Sequence, residues 1–211
     1  KRVFGGPGTA PPVSSTKSQI GPTLGAAGIL EATAGLLCLD RGQLPPTVNF
    51  TGPREACPLD YVPNRPRATG ATRFLASNSA FGGANCAVVV ATRDDPPPAA
   101  AGTATLRRVV ITGLGVVSPF GIGIEALSDG LAGGLGAVAE VQRHPVAGLR
   151  RPDAALVPPF VPRRVEPRMR LEGLDRCSQY TALAAKQAMT AGALSLLPRD
   201  CVDVGLVVGL A

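Results

Sequence analysis

The sequence predicts a mixed α/β protein made of two incomplete parts. In both parts, short β-prone apolar runs alternate with alanine-rich stretches of helical character. Between them lies a proline- and alanine-rich linker at 94–105, DDPPPAAAGTAT, which divides the chain into segments 1–93 and 106–211. The chain is 45% hydrophobic and 17% charged, a balance that allows a buried core and argues against intrinsic disorder.

The first segment predicts a helix followed by a hairpin. Thr23–Leu39 is rich in alanine, leucine and glycine, and the stop signals Gly42 and the Pro45–Pro46 pair follow it. After a proline-rich excursion come two β-prone runs, Phe74–Asn78 and Cys86–Thr92, joined by a glycine-containing turn. We expect these runs to form a buried hairpin.

The second segment predicts strand, helix, loop, helix and strand in that order. Arg108–Val117 is a nearly continuous apolar run of the kind covered on both faces, and Ile122–Leu131 is a short helix. An arginine-rich irregular stretch follows at 142–173. Asp175 is then placed to cap a helix that ends near Gly192, and Val202–Val208 is a second apolar strand.

Composition excludes several classes of function. The five cysteines are scattered without a CxxC pair, so we expect buried free thiols rather than disulfides or zinc, and the only histidine, His144, is expected at the surface. The net charge of +6 suits acidic partners, but no tryptophan and two tyrosines leave few platforms for nucleic-acid bases. We expect no nucleic acid, metal or membrane partner and a cytoplasmic location, since no apolar run is long enough to span a bilayer.

Two short runs stand out for their residue types. In VSSTKSQIGPTLGAAG, Val13–Gly28, the cation Lys17 stands before a helix whose dipole opposes it, so a functional role or a nearby carboxylate is expected. In SNSAFGGAN, Ser77–Asn85, Phe81 precedes Gly82 and Gly83, whose backbones can adopt positive φ. An ordinary hairpin turn is the simpler explanation of the second run.

Together with GxxPPTxN at Gly42–Asn49 and LDYVPN at Leu59–Asn64, these runs form an ordered series of four motifs. The series resembles the C-terminal part of a β-ketoacyl-acyl carrier protein synthase, of the condensing-enzyme (thiolase-like) superfamily. The later runs at Arg107–Gly121, Leu174–Met189 and Val204–Gly209 resemble the opening third of the same family. The resemblance therefore implies a thiolase-like αβαβα layered sandwich, present as incomplete halves: the tail of one synthase joined to the head of another. A circular permutation gives the same local order, but the middle portion of the family is absent.

The family resemblance implies a decarboxylative Claisen condensation in fatty-acid or polyketide synthesis, with substrates carried on the phosphopantetheine of acyl carrier protein and no bound cofactor. By motif match, Lys17 takes the family's active-site lysine position. Phe81, with Gly82 and Gly83, takes the position of the gating loop that contributes to the oxyanion hole. The implied partners are acyl carrier protein and a second ketosynthase chain in a homo- or heterodimer. The arginine-rich stretch at 143–176 is either a surface for the acidic carrier or an ordinary solvated loop.

The sequence departs from the family pattern at two places. The pattern KSxxGH reads KSQIGP here, so Pro22 stands where an active-site histidine is expected, and proline carries no titratable group. None of the five cysteines lies in the family's nucleophile context, which we expect beyond Ala211. The chain is thus either a piece of a condensing enzyme or a non-catalytic partner similar to a chain-length factor. A single-base sequencing error at Pro22 is the third explanation.

Overall fold

The computed structural model describes residues 4–5, 8–55, 57–92, 94–95, 109–142 and 144–194. Its residues group into two compact units, one from Lys1–Pro96 with Ser128–Leu156 and the other from Pro97–Leu127 with Val157–Ala211. The domain boundaries expected from the sequence stay a prediction. Nearly all of the expected linker and the expected strand Val202–Val208 lie outside the described residues, as does Cys201.

The first unit is built around one long helix. A single helical turn, α1 (Lys17–Ile20), and a 3₁₀ turn at Leu24–Ala26 lead into α2 (Ala27–Arg41). Helix α2 ends at Gly42, whose φ of 62° is the left-handed conformation that glycine adopts without a Cβ penalty. Leu30, Ala34 and Leu37 give α2 a buried stripe at helical spacing. The predicted helix is therefore confirmed, with its start delayed by the 3₁₀ turn.

Four strands accompany α2 in this part of the unit. β1 (Gln43–Leu44) pairs with β2 (Arg67–Ala68), and β3 (Arg73–Ser79) pairs antiparallel with β4 (Asn85–Ala91). The β3–β4 pair is the predicted hairpin. Side chains of β3 alternate between half-buried and exposed, and the half-buried set faces α2.

Gly35 lets α2 approach β3 closely. A Cβ built on Gly35 falls within 2.6 Å of three ring carbons of Phe74, well inside the normal contact distance of about 3.5–4.0 Å. A Cβ on Gly28, which lies two helical turns earlier, is at an ordinary contact distance of 3.8 Å from Asn78 Nδ2. The α2–β3 packing therefore requires glycine at position 35 and only tolerates it at position 28.

The expectation that the hairpin is buried is wrong for β4. Six of its seven residues are exposed, including Val88 at 47% and Val89 at 66%. The reason is that α2 covers β3 only, and among the described residues each sheet has two strands. The unit is mixed α/β as predicted, and the layered sandwich of the family stays a prediction.

In the first unit, Ser128–Leu156 also contributes β7 (Ala139–Glu140) paired with β8 (Asp153–Ala154). Gln19 of α1 is completely buried here: its Nε2 donates to the Leu131 carbonyl at 3.2 Å, while its main-chain carbonyl accepts from Ala137 at 2.6 Å. The Leu131 carbonyl lies in the last turn of a helix and also accepts from Gly134 N, and the Ala137 N–H lies beyond that helix, so Gln19 satisfies main-chain groups at and just after a helix end.

The second unit is organised by α5 (Arg176–Ala191), with α4 (Pro162–Val165) and the pair β5 (Val117–Ser118) and β6 (Gly121–Ile122). Asp175 caps α5 as predicted, accepting from Ser178 N at 3.0 Å. Helix α3 (Ile124–Gly133) begins in this unit, close to its predicted bounds. In it and in the neighbouring segments, Leu127 and Leu171 are the largest buried apolar residues.

The predicted strand Arg108–Val117 is wrong over residues 109–116; of its described residues, only Val117 lies in a strand, β5. Residues 109–116 have no regular structure, and Val109 is 91% exposed. Instead, a Cβ on Gly115 would collide with the Ala184 carbonyl of α5, and Val116 N donates to Gln187 Oε1 at 3.1 Å. The segment runs against a helix rather than between two strands, so Val116 bonds to a side chain of α5 through its N–H, while its carbonyl accepts from Gly123 N at 2.9 Å.

The thiols differ from expectation as well. Cys38 on α2 is buried, as predicted, and burial raises the pKa of its thiol. Cys57, Cys86 and Cys177 are exposed, although all four described cysteines are free. Burial of a thiol depends on whether a neighbouring element covers it, which scattered cysteines in a sequence do not reveal. His144 is exposed, as expected.

Candidate functional site

Lys17 is held in place by the other sequence motifs. Its segment is tied to the strand-like run at 60–63: Val13 N donates to the Asp60 carbonyl at 2.8 Å, and Val62 N donates to the Val13 carbonyl at 3.1 Å. On the other side, Thr47 N donates to the Val62 carbonyl at 2.7 Å. The motifs at 13–28, 42–49 and 59–64 are therefore adjacent in space, with the third between the first two.

A hydroxyl of α1 tightens this arrangement. Ser18 Oγ accepts from Val48 N at 2.9 Å, and Ser14 Oγ donates to the Pro45 carbonyl at 2.5 Å. Ser14 and Ser18 of the VSSTKS run thus bond to the motif at 42–49, because short hydroxyl side chains satisfy nearby main-chain groups outside regular structure. Lys17 consequently stands on a fixed support at the start of α1 rather than on a free loop.

The carboxylate expected near Lys17 is Glu31. The Lys17 ammonium forms an ion pair and hydrogen bond with Glu31 Oε1, and the Glu31 side chain is only 18% exposed. Glu31 lies on α2 one turn after Gly28 and one turn before Gly35, on the helix face turned toward β3. Sequence reasoning missed this residue, although Glu31 is the only acidic residue of α2 before Asp40 at the C-terminal end, and an acidic residue in an otherwise apolar stretch of helix is a usable signal.

Asn78 of β3 completes the cluster. Its Oδ1 accepts from Lys17 Nζ at 3.4 Å, and its Nδ2 donates to Glu31 Oε2. Lys17, Glu31 and Asn78 therefore form one connected group of an ammonium, a carboxylate and a carboxamide. The group joins α1, α2 and β3 within the first unit.

Phe81 lies in the predicted turn, and its side chain is 99% exposed. Gly83 N donates to the Ala80 carbonyl at 3.2 Å and Gly82 has a φ of 89°, which is the geometry of a type II turn. Among the described residues, no hydrogen bond uses the Phe81 N–H. The loop thus has what an oxyanion-binding turn needs, an unused donor next to glycines, and also what a simple hairpin turn needs.

Pro22 follows Gly21, which ends α1 with a φ of 77°. It is exposed and precedes the 3₁₀ turn at Leu24–Ala26. The pyrrolidine supplies neither a donor nor a titratable group. Pro22 therefore cannot donate a proton in any reaction in which Lys17 takes part.

A groove of about 440 Å³ in the first unit is lined by Leu37, Cys38 and Arg41 of α2 and by Asp129 and Leu131 of α3. None of the predicted site residues lines it. In the part of the chain that the structure describes, no group of histidine, cysteine and carboxylate side chains is arranged to hold a metal ion. The described helices include none that is long and apolar enough to cross a membrane.

Comparison with known proteins confirms the family resemblance over part of the chain. Residues 1–51 match the model of the C-terminal domain of β-ketoacyl synthases. The matched segment contains Lys17, Pro22 and Glu31, and so two members of the cluster described above.

Known relatives agree with this match. The chain is 45% identical over 91 residues to the tetracenomycin polyketide synthase ketoacyl synthase alpha subunit of Streptomyces glaucescens, covering 43% of this chain and 21% of that protein. It is 40% identical over 90 residues to 3-oxoacyl-[acyl-carrier-protein] synthase 2 of Coxiella burnetii, covering 43% and 22%. The actinorhodin polyketide putative beta-ketoacyl synthase 1 of Streptomyces coelicolor is 42% identical over 90 residues, covering 43% and 19%. The alignments thus span about a fifth of the length of these relatives.

Proposed function

We propose that this chain is part of a β-ketoacyl synthase that condenses an acyl thioester with a malonyl thioester in fatty-acid or polyketide synthesis, both carried on acyl carrier protein. The observation that carries the proposal is the Lys17–Glu31 ion pair, which lies inside the segment that matches the synthase C-terminal domain and is bridged by Asn78. A lysine near a helix start is electrostatically unfavourable without a partner. Here α1 carries the lysine, and α2 and β3 supply its partners, Glu31 and Asn78.

In the proposed reaction, a cysteine thiolate takes the acyl group, and loss of CO₂ from the malonyl thioester gives an enolate that attacks the acyl-enzyme. Lys17 contributes a fixed positive charge next to the place where the enolate oxygen develops negative charge. The Phe81 N–H contributes a hydrogen-bond donor to the tetrahedral intermediate. The family resemblance implies two histidines, of which Pro22 takes the position of the second; the cysteine and the first histidine belong to family segments other than the motifs found in this chain.

Pro22 supports a second candidate function. A proline at the histidine position cannot donate to the malonyl thioester carbonyl, which removes one stabilising interaction from decarboxylation. A chain of this kind suits a non-condensing partner, similar to a chain-length factor, that pairs with an active ketosynthase. The surfaces of the chain then bind the active ketosynthase and take no part in the condensation reaction.

A basic surface in the second unit suits an acidic carrier protein. Arg164, Arg168 and Arg170 are exposed, and among the described residues they form no ion pair. Arg163 instead pairs with Glu172 at 2.7 Å. Uncompensated arginines raise the rate of encounter with an acidic partner, and that effect weakens as salt is added.

The test is a condensation assay of the full natural protein with malonyl- and acyl-carrier protein, with CO₂ release and the β-ketoacyl product followed by mass spectrometry. Lys17→Ala is expected to lower the rate roughly a hundredfold, the usual effect of removing one charge-stabilising donor. Lys186→Ala on α5 is the matched control and is expected to change little. Equal rates for Lys17→Ala and the unaltered protein would contradict the role of Lys17.

Pro22→His separates the two candidate functions. If the protein is a condensing enzyme weakened at this position, the substitution raises the rate of malonyl decarboxylation. If the protein is a partner subunit, both forms are silent alone, and adding either one changes the yield or chain length made by an active ketosynthase. A protein with neither behaviour would refute both candidates.

A further inference from the structure

We propose that Asn78 is a positioning residue for Lys17, acting by bridging the lysine to Glu31. This inference rests on the proposed function for the meaning of Lys17, but its test does not depend on catalysis. The remaining described clusters are surface ion pairs such as Arg67–Asp60, whose bidentate bonds of 2.9 Å brace a loop.

The face of β3 that is turned toward α2 is apolar except at Asn78. Phe74, Ala76 and Asn78 are the half-buried residues that face α2, and the first two are apolar. An apolar third residue could pack against α2 at Gly28, where a Cβ would lie at an ordinary contact distance of 3.8 Å from Asn78 Nδ2. A carboxamide there has to find hydrogen bonds, since a buried polar group without them costs stability. Its presence is therefore explained by its partners and not by packing.

The Asn78 carboxamide can hydrogen-bond to both Lys17 and Glu31. An ammonium only donates and an ionised carboxylate only accepts, so a group that bonds to both needs a donor and an acceptor of its own. Asn78 supplies both: Oδ1 accepts from Lys17 at 3.4 Å and Nδ2 donates to Glu31. It adds no charge, so the Lys17–Glu31 pair stays balanced.

Asn78 gives the Lys17 ammonium a second hydrogen-bond partner besides Glu31. Its side chain is 40% exposed, and an exposed ion pair alone holds a long flexible side chain weakly. The bond from β3 adds a second attachment from a different element, and β3 is itself locked to α2 by the Phe74–Gly35 contact. Asn78 thereby fixes where the ammonium points, which is what a positive charge needs in order to stabilise one particular oxygen.

The experiment measures the accessibility of the Lys17 amine in the full natural protein. Trace acylation with isotopically labelled acetic anhydride, followed by mass spectrometry, gives the labelling rate of Lys17 relative to Lys186 as an internal reference. Asn78→Leu is expected to raise this ratio about threefold, the effect of losing one modest hydrogen bond. Ser77→Ala, at the neighbouring exposed position of β3, is the control and is expected to leave the ratio unchanged.

A double substitution keeps the proposal falsifiable if Asn78→Leu perturbs the hairpin. Glu31→Gln with Asn78→Asp exchanges the carboxylate and the carboxamide, and so restores an ammonium–carboxylate–carboxamide group. Its labelling ratio is expected to return close to that of the unaltered protein, while each single substitution departs from it. If the double variant shows only the product of the two single effects, the groups are not coupled and the proposal is overturned. Coupling without any condensation activity would retain the positioning role and reject the condensing-enzyme candidate, while the partner candidate is decided by the effect on an active ketosynthase.

Discussion

Replacing Gly35 by alanine tests the packing that positions the candidate site. Alanine is favoured over glycine in a helix interior by about 1 kcal/mol, so propensity alone predicts stabilisation. The structure predicts the opposite, because the added Cβ falls within 2.6 Å of three Phe74 ring carbons and the ring must move by about 1 Å to reach an ordinary contact distance. Overpacking of this kind costs about 1–3 kcal/mol. The expected net effect is a loss of roughly 1 kcal/mol, at most about 2 kcal/mol.

Gly28→Ala on the same helix is the matched control. Its Cβ meets nothing nearer than 3.8 Å, so only the propensity gain remains, at about 0.5–1 kcal/mol. Both variants are measured by urea unfolding followed by far-UV circular dichroism, at two protein concentrations, and the free energy of unfolding is compared through the midpoint and slope. If Gly35→Ala stabilises the protein as much as Gly28→Ala does, the close approach of α2 and β3 is refuted.

Three further predictions concern single features. The Asp60 carboxyl has its pKa lowered, mainly by hydrogen bonds from Arg67, so the pair stabilises the fold above the ordinary pKa of aspartate and this contribution is lost as pH falls through the lowered value. Because both side chains are partly exposed, we expect about 0.5 kcal/mol; Asp60→Asn should flatten that part of an acid unfolding profile, and an unchanged profile would count against the pair. Alkylation with iodoacetamide, followed by mass spectrometry, should modify Cys86 at least about tenfold faster than Cys38, since burial hides Cys38 and raises its pKa; equal rates would contradict the burial of α2. The exposed apolar run at 109–111 predicts that the 211-residue chain self-associates, and a single monomeric boundary in sedimentation velocity at all concentrations would show otherwise.

Local features of the fold were predictable from local signals. The helix ending at Gly42 and the cap at Asp175 follow from residue types that act within one turn of their own position. The β3–β4 hairpin follows from two β-prone runs around a glycine turn. The expectation that Lys17 needs a carboxylate also came from a local argument, the helix dipole, and Glu31 meets it.

The sequence by itself determined helix α2, the β3–β4 hairpin, the cap at Asp175, the family motifs and the polar residue types at the candidate site. Only the tertiary structure decided that Glu31 and Asn78 are the partners of Lys17, because they lie 14 and 61 residues away and no local pattern specifies so distant a contact. It also decided that β4 and the run at 109–111 are exposed. An apolar run makes the burial of a strand favourable, but burial also requires a neighbouring element that covers the strand. Here α2 covers β3 and leaves β4 exposed.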